Sequence, residues 1–220
     1  MPHRTPLFFA SRLTANEQGN PHKVLEQFMF HMDLPYARKI IHQWLTAACN
    51  KGWFNKECPA NLLFFYEHLT LLIEAAWLLQ QADNSECAAN LPLPANPQQL
   101  PDSSLYCPEE LQYKAWHYFP RHLSQRDFYQ PYRVFEAFFK YQSPAKWQNT
   151  LHRLLHQSLS TDSFETAGLS FNILTIKKHL CKLVEASQLI VLRRPTAPAT
   201  GAAIVTIAPG NAPNPVTLSA

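Results

Sequence analysis

Residues 62–79, LLFFYEHLTLLIEAAWLL, place apolar side chains at Leu62, Phe65, Leu69, Leu72, Ile73 and Leu79. Steps of three and four of this kind trace one face of a helix. The same face returns 111 residues later in 173–190, ILTIKKHLCKLVEASQLI, at Ile173, Ile176, Leu180, Leu183, Val184 and Ile190. Polar positions return with it, His68 over His179 and Glu74-Ala75 over Glu185-Ala186.

The correspondence extends upstream at an offset of 110. PHKVLEQF at 21–28 lies over PYRVFEAF at 131–138, Ile41-His42 over Leu151-His152, Trp44-Leu45 over Leu154-Leu155, and Leu13-Thr14 over Leu123-Ser124. A common register over about 65 positions, broken by one single-residue slip, is the signature of an internal duplication. The expected fold is all-α: two structural repeats of about three helices each, packed as a pseudo-twofold bundle through the 62–79 and 173–190 helices. The expected divisions are repeat 1 at 1–80, a Pro-rich linker at 81–108, repeat 2 at 109–194 and a Pro/Ala-rich tail at 195–220.

Local signals refine the elements. Pro21 opens a short helix ending near His31, because a first-turn proline gives up an N–H that has no helical partner. Asp33 and Ser143 are matched N-cap residues, each followed closely by a proline, Pro35 and Pro144. The helices they start run to about Cys49 and Leu159. Ala37, Ile41, Trp44, Leu45 and Ala48 mark the inner face of the first. Residues 1–20 read as a weakly structured lead-in, and 80–107 as a polar, surface-lying, mobile linker. Pro108 opens a helix over 109–119. The tail after Arg194 carries no charged side chain and reads as disordered, unless 189–192 pairs with 203–207 as a hairpin.

Composition narrows the class. Only five glycines leave no material for a Gly-rich phosphate cradle, and 46% apolar residues are ample for a core. Each repeat alone is near the lower size limit for a self-sufficient core, so the two are expected to share one. Five cysteines without a CxxC spacing suit reduced thiols in the cytoplasm. Residues 1–13 lack a secretory pattern. Glu67, His68 and Glu74 interrupt 62–79, so no membrane association is expected. The net charge of +3 divides unevenly. Residues 1–110 hold seven Lys/Arg against eleven Asp/Glu, and 111–220 hold twelve against five, giving −4 and +7.

No dinucleotide fingerprint, nucleophile elbow, HExxH or Cys/His signature occurs. His152 and His156 share a helix face at i, i+4 but have no third ligand. No catalytic, cofactor-binding or metal residue is therefore assigned, and no cofactor is expected. The duplicated polar set, His42, His68, Glu74, His152, His179 and Glu185, is expected to form polar contacts or an inter-repeat network. Glu74 and Glu185 would bond one of these histidines, or touch a ligand at the pseudo-twofold axis. Lys177, Lys178, Lys182, Arg193 and Arg194 are candidate anion contacts.

The functional expectation is a non-enzymatic cytoplasmic interaction or adaptor protein that binds a protein partner or a second copy of itself. One alternative is a nucleic-acid-binding regulator using the basic second repeat. The other is a metal-dependent enzyme built on the duplicated His and Glu residues.

FFKYQSPAKW at 138–147 fits the pattern FFxYxSPxxW, and LIEAAWL occupies 72–78. In these two stretches, within a region spanning 20–194, the chain resembles uncharacterised two-repeat helical proteins of the Bacteroidota. The resemblance implies a shared helical packing and no activity.

Overall fold

The computed structural model describes residues 11–49, 54–55, 57–82, 89–94, 101–160 and 172–194. They are mostly helical, with no strand among them. Four helices come first: α1 (Ala15–Gly19), α2 (Pro21–His31), α3 (Leu34–Cys49) and α4 (Pro59–Gln81). After α5 (Ala115–Tyr118) follow α6 (Gln125–Tyr129), α7 (Arg133–Tyr141), α8 (Pro144–Leu159) and α9 (Ile173–Arg193).

Capping chemistry sets the boundaries. Asp33 accepts the Tyr36 N–H at 2.7 Å, and Ser143 accepts the Lys146 N–H at 3.4 Å, so α3 and α8 begin where their caps predict. Pro21 and Pro144 sit in first turns. Residues 11–20 are more ordered than expected, and 1–10 lie outside the described residues. Thr14 and Glu17 form a reciprocal capping box at the start of α1, and Ser124 and Asp127 form another at α6. Each box satisfies two backbone donors, which is how helices of five residues are held.

The inner face of α3 is buried as expected at Ala37, Ile41, Trp44, Leu45 and Ala48. The stripes on α4 and α9 are buried too, except Ile173, which is half-buried at the first position of its helix. The packing partners differ from expectation. α4 and α9 do not form a packing pair among the described residues; α3 lies along α8, and it also packs on α9, as α8 does on α4. α2 fits between α4 and α9, and α7 touches the same two helices. Trp44 of α3 and Trp147 of α8 are both fully buried, and each faces other helices: Trp44 meets Phe65 and Tyr66 of α4, and Trp147 meets Phe138 of α7 and His179 of α9.

Aromatic geometry ties the core together. Phe138 stacks on Trp147 with centroids 4.2 Å apart, and the Trp147 indole N–H donates to the Phe138 carbonyl at 3.2 Å. Trp77 meets Phe139 edge to face at 5.0 Å, joining LIEAAWL to FFxYxSPxxW. Both motifs therefore carry packing, as their residues suggest.

Three further expectations need correction. The described parts of the linker pack inward: Ala89, Tyr106 and Cys107 are buried, and the Leu91 N–H donates to the Tyr129 carbonyl. The 109–119 helix is a 3₁₀ segment, Glu109–Lys114, running into the single turn of α5. Residues 189–192 belong to α9, so they form no hairpin strand; 195–220 and the other half of that pairing lie outside the described residues. By length and composition α4 is apolar enough to cross a membrane, and 61% of its most apolar window is buried within the fold.

Candidate functional site

Glu185 is the most enclosed charged side chain described, at 0% exposure. It lies among the core residues of α9, and its hydrogen-bond donors Arg38, Arg121 and His122 all approach from outside that helix. Arg38 of α3 brings Nε to Oε1 at 2.9 Å and Nη2 at 2.7 Å. His122 gives Nδ1 to Oε1 at 2.8 Å and its backbone N–H to Oε2 at 2.9 Å, and the Arg121 N–H adds a bond at 3.1 Å. Arg38 further donates to the carbonyls of His117 and Phe119, at 3.1 and 2.8 Å. One guanidinium thus fastens the 117–122 segment to α3 and α9.

The electrostatics follow from this crowding. Burial alone pushes the Glu185 carboxyl up, but the His122 bonds and the charge of Arg38 outweigh it and hold the carboxyl below its ordinary range. The Cys181 side chain first, then Glu185, raises His122 to about 9. The cluster is therefore ionised at neutral pH. Oε1 is crowded by Arg38, Arg121 and His122, and Oε2 accepts the His122 N–H, so the carboxylate is tied to three groups of the fold.

Glu74 of α4 is almost as buried, at 3% exposure. Its Oε2 accepts from the Ser11 hydroxyl at 2.9 Å and the Arg12 N–H at 2.8 Å, and its Oε1 accepts from the Gln148 amide of α8 at 3.1 Å. Arg12 also reaches Thr70 at 3.4 Å. Neither carboxylate bonds a duplicated histidine, contrary to expectation. Their partners are chain segments just upstream of α1 and α6, together with Arg38 and Gln148. Helix periodicity on α4 and α9 carries no information about donors from other elements, so these were missed. The signal available was the alignment itself, since positions 38 and 148 also correspond.

The matched histidines His42, His68, His152 and His179 do not converge. His68 donates from Nδ1 to the Phe64 carbonyl, 2.9 Å away, while His179 stacks on Tyr141 with centroids 4.4 Å apart. Burial, then Lys182 and Lys178, lower the pKa of His179. His42 is exposed, with Nδ1 3.2 Å from the Lys177 ammonium, and His152 is exposed on α8. No group of three or more potential metal ligands occurs among the described residues.

The candidate anion contacts divide. Lys182 pairs with Asp127 at 2.8 Å. Arg193 turns inward, donating to the Leu105 and Phe128 carbonyls at 3.0 and 2.6 Å and lying over the Phe128 ring, and burial lowers its pKa to about 10. These two serve the fold instead. Lys178 is exposed, and Lys177 and Arg194 are half-buried.

A surface feature emerges that the pattern of core positions did not mark. Phe30 of α2 is 85% exposed, yet its ring lies 5.3 Å from His31. His31 in turn meets Phe64 at 5.8 Å and His68 at 5.1 Å, and Phe64 and His68 are 4.1 Å apart. Exposed Leu63 adjoins Phe64 on α4. Beside this face a recess of about 230 Å³ is lined by Glu17, Gln27, His31, His68 and Leu71. Four connected rings on the outer surfaces of α2 and α4 form one aromatic face.

Comparison with known proteins returns no matching family model, no matching curated protein and no matching solved structure.

Proposed function

We propose that the chain consists of two copies of one helical unit related by a pseudo-twofold, and that it acts as a non-enzymatic intracellular interaction protein. Three features support the architecture. The two capping boxes begin at Thr14 and Ser124, 110 residues apart. Arg38 of the first half reaches Glu185 of the second, and Gln148 of the second reaches Glu74 of the first, a reciprocal exchange between corresponding positions. His22 Nε2 lies 2.9 Å from the hydroxyl of Tyr132, its own counterpart, and contact between counterparts is what a twofold axis produces.

The observation that carries the function is the exposed aromatic face of Phe30, His31, Phe64 and His68. Large aromatic side chains in mutual contact at a surface are typical anchors for a protein partner. The buried carboxylates, by contrast, are consumed in holding the halves together. α4 contains no lysine or arginine, and Glu17, Glu26 and Glu67 flank the face. It therefore suits a partner offering apolar side chains with a basic border.

The test is crosslinking in the native host from a photoreactive residue placed at position 64, compared with a Phe30→Ser/Phe64→Ser chain captured by an affinity tag. Specific adducts with wild type, lost on tag capture of the double variant, are expected. An unchanged partner set would remove the reading. Phe30 is mostly exposed, so its replacement should alter stability by no more than about 0.5 kcal/mol.

A further inference from the structure

Glu67 and Lys178 occupy corresponding positions on α4 and α9, at the offset that pairs His68 with His179. Both are exposed, and each follows an exposed leucine by one helical turn, Leu63 before Glu67 and Leu174 before Lys178. Leu174 is 79% exposed. Each half also carries a ring pair at corresponding positions, His31 with His68 in the first and Tyr141 with His179 in the second. The two faces correspond in sequence position and differ in charge. Around the first lie Glu17, Glu26 and Glu67, with Lys23 on α2. Around the second lie Lys140, where the first half has Phe30, and Lys178, with Glu136 on α7 and Lys182 held by Asp127, while Lys177 turns to His42 of α3.

We infer that the partner of the aromatic first-half face is the basic second-half face of another copy of this chain. This rests on the docking reading above and names its occupant. Apolar contact between Phe30, Leu63 and Phe64 on one molecule and Leu174 and Tyr141 on the next supplies attraction. The charges select the pairing, because two acidic faces or two basic faces repel. Each molecule carries one face of each kind, so the contact is head-to-tail. Such contacts either close a ring or continue as an open chain of molecules.

Sedimentation equilibrium of the full chain tests this at low and high ionic strength. Association that grows with concentration and weakens in high salt is expected. Glu67→Lys and Lys178→Glu should each weaken it by roughly tenfold or more, since each sets like charges at positions 67 and 178 against one another across the contact. Leu174→Asp should do the same. Mixing the two charge variants, or combining them as Glu67→Lys/Lys178→Glu, should restore association, which no folding defect would do. A wild type that stays monomeric at low salt overturns the inference, as does a mixture that fails to recover. A monomeric wild type whose capture of another protein still requires Phe30 and Phe64 overturns only the self-association. Capture that ignores those residues overturns the docking reading itself.

Discussion

Replacing Arg38 with alanine is the sharpest probe of how the halves are held. The substitution removes a guanidinium that gives two short contacts to Glu185 Oε1 and one bond each to the His117 and Phe119 carbonyls. Breaking a buried ion pair by deleting one partner costs about 3–5 kcal/mol, because the remaining charge is stranded. Two features reduce that figure. The Arg38 side chain is 11% exposed, so water can follow its removal, and Glu185 keeps its donors from Arg121 and His122. The expected loss is about 2–4 kcal/mol. Gln148→Ala removes only a neutral amide from Glu74, for about 0.5–1.5 kcal/mol. Urea unfolding followed by far-ultraviolet circular dichroism at neutral pH measures both, provided the denaturant slopes agree with wild type. An Arg38→Ala loss no larger than that of Gln148→Ala would refute the reasoning.

Two other outcomes follow from the same structure. Leu72→Ala and Leu183→Ala should each cost about 2–5 kcal/mol by urea unfolding, because both side chains are fully buried in corresponding stripes; a loss below about 1 kcal/mol at either would place it outside the core. His122 has a raised folded-state pKa, so its contribution is complete below about 6.5 and fades as pH rises through about 9. The stability difference between wild type and His122→Gln should shrink across that window by at most about 2 kcal/mol, discounted for a ring that is 30% exposed. A difference independent of pH between 6.5 and 9 would mean that His122 is not charged in the fold.

The sequence carried much of this fold in readable form. Asp33 and Ser143 announced two helix starts because capping is a local bond, formed within one turn. The stripe from Leu62 to Leu79 announced the buried face of α4 because periodicity reflects only which side meets the core. Reading Pro108 as the opening of a helix over 109–119 gave the wrong helix type, since the choice between 3₁₀ and α rests on small differences that tertiary contacts decide. The linker reading failed for a related cause. Tyr106 and Cys107 stand among prolines and polar residues, and nothing local shows that the body of the protein has room for them.

The candidate site was legible as a set of residues and illegible as geometry. Glu74 and Glu185 stood out as matched acids in apolar helices, and both prove buried. Their donors come from 62 to 147 residues away, beyond the reach of any spacing rule. Arg193 looked like a surface cation because a long side chain at a helix end usually reaches water; here the Leu105 and Phe128 carbonyls and the Phe128 ring turn it inward.

By itself the sequence determined the helical class, the start of α3 and α8, and the faces of α3, α4 and α9 that enter the core. Those properties depend on bonds within a turn and on a repeat of 3.6 residues, both written directly into residue order. Only the tertiary structure decided that α3 meets α8, that Arg38 and Gln148 cross to Glu185 and Glu74, and that Phe30 and Phe64 stay outside. Apolar side chains seek burial without direction, so a pattern says that a face will be covered and leaves open what covers it.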